Sequence, residues 1–275
     1  MEQVFALKNE KTGKDVFQNH KRGDICRLSH NFFVTLHVLL LVKMANILNI
    51  ETSSQVCSVA LASEGQVLEH HENYDGQTHA TLLSAFVQDA LRYARTREIH
   101  LDAVAVSIGP GSYTGLRIGL SEAKGLAFGL NIPLIAVNTL QLLTVSAMFN
   151  HFIDDDVLYA PMIDARRMEV YTAVYDAALN AVVEPRPLIL DGDSYADVLA
   201  QKPVVLMGDG SDKARDVIKH PNARFIAGIK PVALDMIALS ERAFRQRDFA
   251  DVAYSTPLYL KEFQATVPRN KVLNT

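Results

Sequence analysis

Ala103-Val104-Ala105-Val106-Ser107-Ile108-Gly109-Pro110-Gly111-Ser112-Tyr113-Thr114-Gly115 is the stretch whose reading decides the fold. The run 103–108 is almost wholly apolar, which predicts a strand buried on both faces. A glycine-rich loop follows it, and the spacing then predicts a helix over about 116–129. Ser112 and Thr114 are candidate caps for that helix. Glycines permit positive φ and close approach of a neighbour. Free N–H groups converge on such a loop with the positive end of the helix dipole. Gly109, Gly111, Ser112, Thr114, Gly115 and Arg117 therefore form a candidate anion, nucleotide or partner-contact loop. The spacing Gly-x-Gly-x-x-x-Gly is neither the dinucleotide fingerprint nor a P-loop. A capped turn whose glycines serve tight packing is an equal reading.

Upstream, short apolar runs at 47–50, 56–62 and 66–71 are separated by Glu51-Thr52-Ser53-Ser54 and Glu64-Gly65, as in an antiparallel meander. Leu82, Leu83, Phe86, Val87, Ala90, Leu91 and Ala94 then follow helical spacing, with Thr78 or Thr81 as cap. Downstream, 132–137 reads as a buried strand and 140–149 as an apolar helix. The order β-β-β-α-β-α-β-α predicts a mixed sheet flanked by helices.

The acidic run Asp154-Asp155-Asp156 reads as a solvated boundary loop, since consecutive strand residues would face opposite sides. A second block repeats the style. Strands are expected at 158–163, 170–175 and 204–207, and helices at 194–200 and 234–244. Glu184-Pro185-Arg186-Pro187 reads as a turn or linker, and Gly208-Asp209-Gly210-Ser211 as a loop opening a helix. The echo between the blocks predicts two similar lobes around a cleft. Residues 44–150 are expected to form the first lobe, joined by the helix within 232–250, and 151–231 the second. Residues 1–43 are expected to be a poorly ordered extension ahead of an alternative start at Met44, and 264–275 a frayed tail. The apolar run 32–42 is too short to span a bilayer, so no membrane role is expected.

Composition narrows the function. Lys and Arg number 27 against 31 Asp and Glu, a net charge of −4, which argues against a stand-alone nucleic-acid binder. Cys26 and Cys57 form neither a disulfide framework nor a zinc signature, which fits a reducing cytoplasm. His70-His71 are adjacent on a strand and face opposite sides. There is no His-Glu-x-x-His and no Gly-x-Ser-x-Gly.

Three segments remain as candidate sites. Glu51-Thr52-Ser53-Ser54 sits where a phosphate-transferring fold places an acid and a phosphate turn, without the glycines such turns use; a polar hairpin turn is the plainer reading. Asp164-Ala165-Arg166-Arg167 offers a carboxylate and guanidinium pair, or an ordinary surface ion pair. Gly115, Gly119, Ala123 and Ala127 form a small-residue strip that admits a close neighbour. With Leu83, Phe86, Val87 and Ala90, the residues Gly119, Ala123 and Ala127 make a candidate partner interface, packing on a second copy or a homologous chain.

Several motifs together resemble one family. They are Ile47-Leu48-Asn49-Ile50-Glu51-Thr52-Ser53-Ser54, Thr78-His79-Ala80, Gly109-Pro110-Gly111-Ser112-Tyr113-Thr114-Gly115-Leu116-Arg117-Ile118-Gly119, Ile163-Asp164-Ala165-Arg166, Gly208-Asp209-Gly210 and Pro257-Leu258-Tyr259-Leu260. From about Met44 to Phe263 the chain resembles the bacterial TsaB (YeaZ) family. The resemblance implies an actin-like ATPase-superfamily (ribonuclease H-like) fold with two similar lobes. It implies a part in forming N6-threonylcarbamoyladenosine next to the anticodon of tRNAs reading codons that begin with A. The implied partners are a TsaD-like catalytic paralogue and a TsaE-like ATPase, with homodimerisation when alone and tRNA met only through the complex. The paralogue's Asn-His-Leu-Glu-Gly-His segment holds a catalytic metal. The matching residues here are Asn138-Thr139-Leu140-Gln141-Leu142-Leu143, so Thr139 and Leu143 stand at the ligand positions. Leucine offers no lone pair and one hydroxyl replaces imidazole poorly. The expectation is a non-catalytic subunit with no metal site and no required cofactor, any nucleotide lying at a subunit junction. The rival readings are an ATP-dependent kinase or phosphotransferase of the same superfold and a glycoprotein peptidase.

Overall fold

The structure is a computed structural model and describes residues 45–76, 79–151 and 156–261. The expected extension 1–43, the tail 264–275, the cap candidate Thr78, Cys26, and Asp154 and Asp155 of the acidic run lie outside the described residues.

Two five-stranded sheets share one topology. In the first, β1 (Asn46–Glu51), β2 (Cys57–Ser63) and β3 (Gln66–Asn73) form an antiparallel meander. Helix α1 (His79–Thr96) leads to β4 (Ala103–Gly109), which pairs parallel to β1. Helix α2 (Tyr113–Leu130) leads to β5 (Leu134–Asn138), parallel to β4. The order is β3-β2-β1-β4-β5. Helix α3 (Thr139–Asn150) crosses to the second sheet. There β6 (Leu158–Asp164), β7 (Glu169–Tyr175) and β8 (Ala181–Ile189) repeat the meander. Helix α4 (Ala196–Leu199), β9 (Val204–Met207), α5 (Ser211–Val217) and β10 (Ala223–Ile226) complete it, with β9 parallel to β6 and β10 parallel to β9. The order β8-β7-β6-β9-β10 matches the first sheet strand for strand. Helix α6 (Ile237–Gln246) ends the series. This repeated arrangement is the two-lobed, actin-like architecture.

Strand alternation sorts the cores. Leu48, Ile50, Val104 and Val106 meet Leu83, Val87 and Ala90 of α1 and Leu120, Ala123 and Ala127 of α2. Ile47, Ala103, Ala105, Ile135 and Val137 face the other way, onto α3 and the start of α6 through Leu142, Val145, Met236 and Leu239. Each buried Leu, Ile, Val or Met among these contributes about 1.5–3 kcal/mol. Helix α3 is buried over residues 139–140 and 142–147 and emerges at Phe149 and Asn150. Leu142 and Val145 face the first sheet. Leu140, Leu143 and Ala147 face Tyr159, Val205 and Met207 of the second.

Some elements differ from expectation. Glu184-Pro185-Arg186-Pro187 lies within strand β8 rather than in a turn. Proline is tolerated there because β8 is an edge strand with one neighbour, β7. Strand β10 carries no clear pattern because its four residues are only partly buried. Thr81 lies exposed inside α1, not at its cap. Among the described residues no helix is long and apolar enough to cross a membrane.

Candidate functional site

The turn after β1 and the loop after β4 lie against each other. The Ser112 N–H donates to the Ser53 carbonyl at 2.6 Å, and Thr52 Oγ1 donates to the Gly115 carbonyl at 2.8 Å. A β-carbon on Gly111 would stand 2.3 Å from Ser53 O, and one on Gly115 2.1 Å from Thr52 O. One on Gly119 would stand 2.2 Å from Thr52 Oγ1. Of the two sequence readings of these glycines, tight packing is the one the geometry explains. Gly109, at φ +116°, has Leu258 O and Leu116 Cδ1 where its side chain would go. The Gly109–Pro110 bond is cis.

Helix α2 starts as expected on Ser112, whose Oγ accepts from Gly115 N at 3.2 Å. Leu116 N donates to the Ser112 carbonyl. Amides that an anion would use at Ser112, Gly115 and Leu116 therefore already have protein acceptors. Thr114 and Arg117 are exposed, and Arg117 lies over the Tyr113 ring, 4.4 Å from its centroid.

Glu51 is fully buried at the end of β1. Its Oε1 accepts from Ser53 N, while Oε2 has no hydrogen-bond partner. The Ser53 and Ser107 hydroxyls lie near this carboxyl. Burial pushes the Glu51 carboxyl above the usual carboxylate range, against the pull of the Ser53 and Ser107 hydroxyls and the Ser53 N–H. Burial, then the nearby Glu51 charge, pushes the Cys57 thiol up to about 11. Ser54 Oγ accepts from Val56 N and closes the turn.

The second lobe has a matching loop. Gly208, at φ +97°, directly follows β9, as Gly109 ends β4, and its β-carbon would stand 2.3 Å from Met162 O. Asp209 Oδ1 accepts from Asp164 N at 2.9 Å, and burial, reinforced by Asp164, raises its pKa. Asp164 pairs with Lys213, not with the neighbouring arginines. Lys213 Nζ also donates to the carbonyls of Arg167 and Glu169 at 2.8 and 2.6 Å. Arg166 and Arg167 both have positive φ in the hairpin turn, and the Arg166 N–H donates to Asp164 Oδ1 at 2.7 Å. Nothing local in the sequence links Lys213 to a carboxylate so far upstream.

Thr139 and Leu143 are both buried at the start of α3, which Asn138 caps through Leu140 N at 2.8 Å. Leu143 Cδ1 lies against Gly208. Among the described residues no group of three or more His, Cys, Asp and Glu side chains is placed to hold a metal ion.

The expected partner interface needs correction. Leu83, Val87, Ala90, Gly119, Ala123 and Ala127 are buried, and Phe86 is half-buried. They form the contact between α1, α2 and the first sheet, so these side chains are not free for a partner. The outward face of the two helices carries Ser84, Ala85, Ser121, Gly125 and Phe128, the last 82% exposed.

Fold and site together define a two-lobed actin-like protein whose Glu51–Ser54 turn lacks glycine and is packed against its own glycine loop. Residues 66–265 match the family model described as "TsaD: tRNA N6-adenosine threonylcarbamoyltransferase". The chain is 32% identical over 230 residues to the tRNA threonylcarbamoyladenosine biosynthesis protein TsaB of Bacillus subtilis, covering 80% of this chain and 95% of that protein. It is 33% identical over 221 residues to TsaB of Escherichia coli, covering 78% and 94%. The solved structure "YeaZ from Pseudomonas aeruginosa" matches 79% of this chain and 100% of its own, at 27% identity and a TM-score of 0.64. The chain belongs to the TsaB family of tRNA threonylcarbamoyladenosine biosynthesis proteins.

Proposed function

We propose that this chain is the non-catalytic partner subunit in N6-threonylcarbamoyladenosine formation on tRNAs that read codons beginning with A. The observation that carries the reading is the start of α3. Leu143 is a core residue packed on Gly208, and Thr139 is enclosed beside it. Neither can take over the ligand role that histidines fill at the matching positions of the catalytic paralogue. The transfer then belongs to that TsaD-like paralogue, with a TsaE-like ATPase joining the pair. Needing no cofactor of its own, this cytoplasmic chain meets tRNA only through the complex, and any nucleotide sits at a subunit junction.

The partner surface in this reading is the outward face of α1 and α2 around Ala85 and Ser121, with Phe128 at its end. Small side chains there let a second helix pair approach, and an exposed phenylalanine supplies an apolar anchor. One self-complementary face serves both a homodimer and a heterodimer with a homologous chain. Co-expression tests this. The tagged chain should retain the paralogue through size-exclusion chromatography, and should run as a dimer when alone. Failure to retain the paralogue under any salt condition would remove the partner-subunit reading.

A further inference from the structure

After α6 the chain runs from residue 248 to residue 261 without a helix or strand of its own. An irregular segment of this length is either functional or a linker. This one is fastened at successive points. Ala250 N donates to Leu134 O at 2.8 Å. Lys124 Nζ holds the carbonyls of Ala253 and Ser255 at 2.8 and 3.1 Å. Leu258 N donates to Ile108 O at 2.7 Å, and Leu258 O lies over the open face of Gly109. Arg117 Nε donates to the Tyr259 hydroxyl at 3.2 Å, while the Tyr259 and Tyr113 rings lie 5.3 Å apart. All of these anchors are on the first lobe. The next is on the second: Lys261 Nζ meets Glu169 Oε2, at the start of β7, at 2.6 Å.

We propose that residues 248–261 form a latch tying the two lobes together, with the Lys261–Glu169 ion pair as its releasable end. The geometry gives this a direct consequence. Leu258 and Tyr259 are fixed to β4, the glycine loop and α2, so separating the lobes must break Lys261 from Glu169 or pull Leu258 off Ile108. The pair is partly exposed, at 39% and 18% for its two side chains, so it is weak enough to open and sensitive to salt.

The test uses the full chain and hydrogen exchange at the Leu258 amide, with Lys261→Glu, Glu169→Lys and the double exchange of charges. Each single variant should speed Leu258 exchange roughly threefold to tenfold without lowering the melting midpoint, and added salt should speed it in the unmodified chain. Small-angle scattering should show wider inter-lobe spacing in the single variants. The double variant should return both readings to those of the unmodified chain. Unchanged Leu258 exchange in both single variants would overturn the latch. So would a double variant that fails to restore it, or faster exchange spread evenly over the whole chain.

Discussion

Thr52 donates its hydroxyl hydrogen to the carbonyl of Gly115, and its own carbonyl oxygen lies 2.1 Å from where a β-carbon on Gly115 would stand. The two residues lock the turn after β1 to the first turn of α2. Gly115→Ala should therefore destabilise the fold by about 1–3 kcal/mol, since backbone must move to admit the methyl group. Gly119→Ala should cost less, because its obstacle is the Thr52 side chain. Gly125→Ala meets open space on the same helix and should stabilise by about 0.5–1 kcal/mol. Urea denaturation of the three variants checks the ranking; equal effects at positions 115 and 125 would refute it.

The burial of Ala123 and Ala127 turns one sequence expectation around. Ala123→Arg should unfold the chain, because a cation would be forced into an apolar core at a cost of several kcal/mol. Ser121→Arg and Ala85→Arg, on the outward face, should keep the circular dichroism of the parent while losing pairing in size-exclusion chromatography. Retained pairing in both outward variants would place the interface elsewhere.

Much of the first lobe could be read from the sequence because its signals are local. The apolar run ending at Ile108, the capping Ser112 and the spacing Leu83, Val87, Ala90 each act over one or two turns of chain. The second lobe was harder to read. Its strand β8 carries Pro185 and Pro187, which are compatible with a sheet only at an edge, and edge position is a property of the assembled sheet. The candidate site was legible as two motifs but not as one contact. That the oxygens of Thr52 and Ser53 fill the space over Gly111, Gly115 and Gly119 depends on β1 and β4 being neighbours. The inward direction of the small-residue strip was also open, since a strip alone does not say which neighbour it admits.

Stability should fall as pH rises, through Glu51. Its folded carboxyl titrates above its unfolded value because burial opposes ionisation. The unfolded chain therefore releases that proton first, and stability is lost from the ordinary carboxylate range up to the raised folded value. Asp235, also raised by burial, acts in the same direction. Glu51→Gln removes the Glu51 contribution, so its advantage over the parent should grow across the window that opens at the ordinary carboxylate range and closes at the raised folded value. Denaturation midpoints across that window measure it. A pH-independent difference would mean the carboxyl is ionised in the fold.

With a net charge of −4, the isolated chain should bind tRNA only weakly at physiological salt. Gel-shift titration should show no submicromolar complex until the paralogue is added. Tight binding by the chain alone would mean that folding gathers a basic surface.

The central claim is that this chain supports the transfer without performing it. The most direct measurement is nucleoside analysis of tRNA incubated with threonylcarbamoyl-adenylate and this chain alone, the TsaD-like paralogue alone, or both with the ATPase. The account predicts modified adenosine only when this chain and the paralogue are present together. Modified adenosine formed by this chain without the paralogue would contradict it.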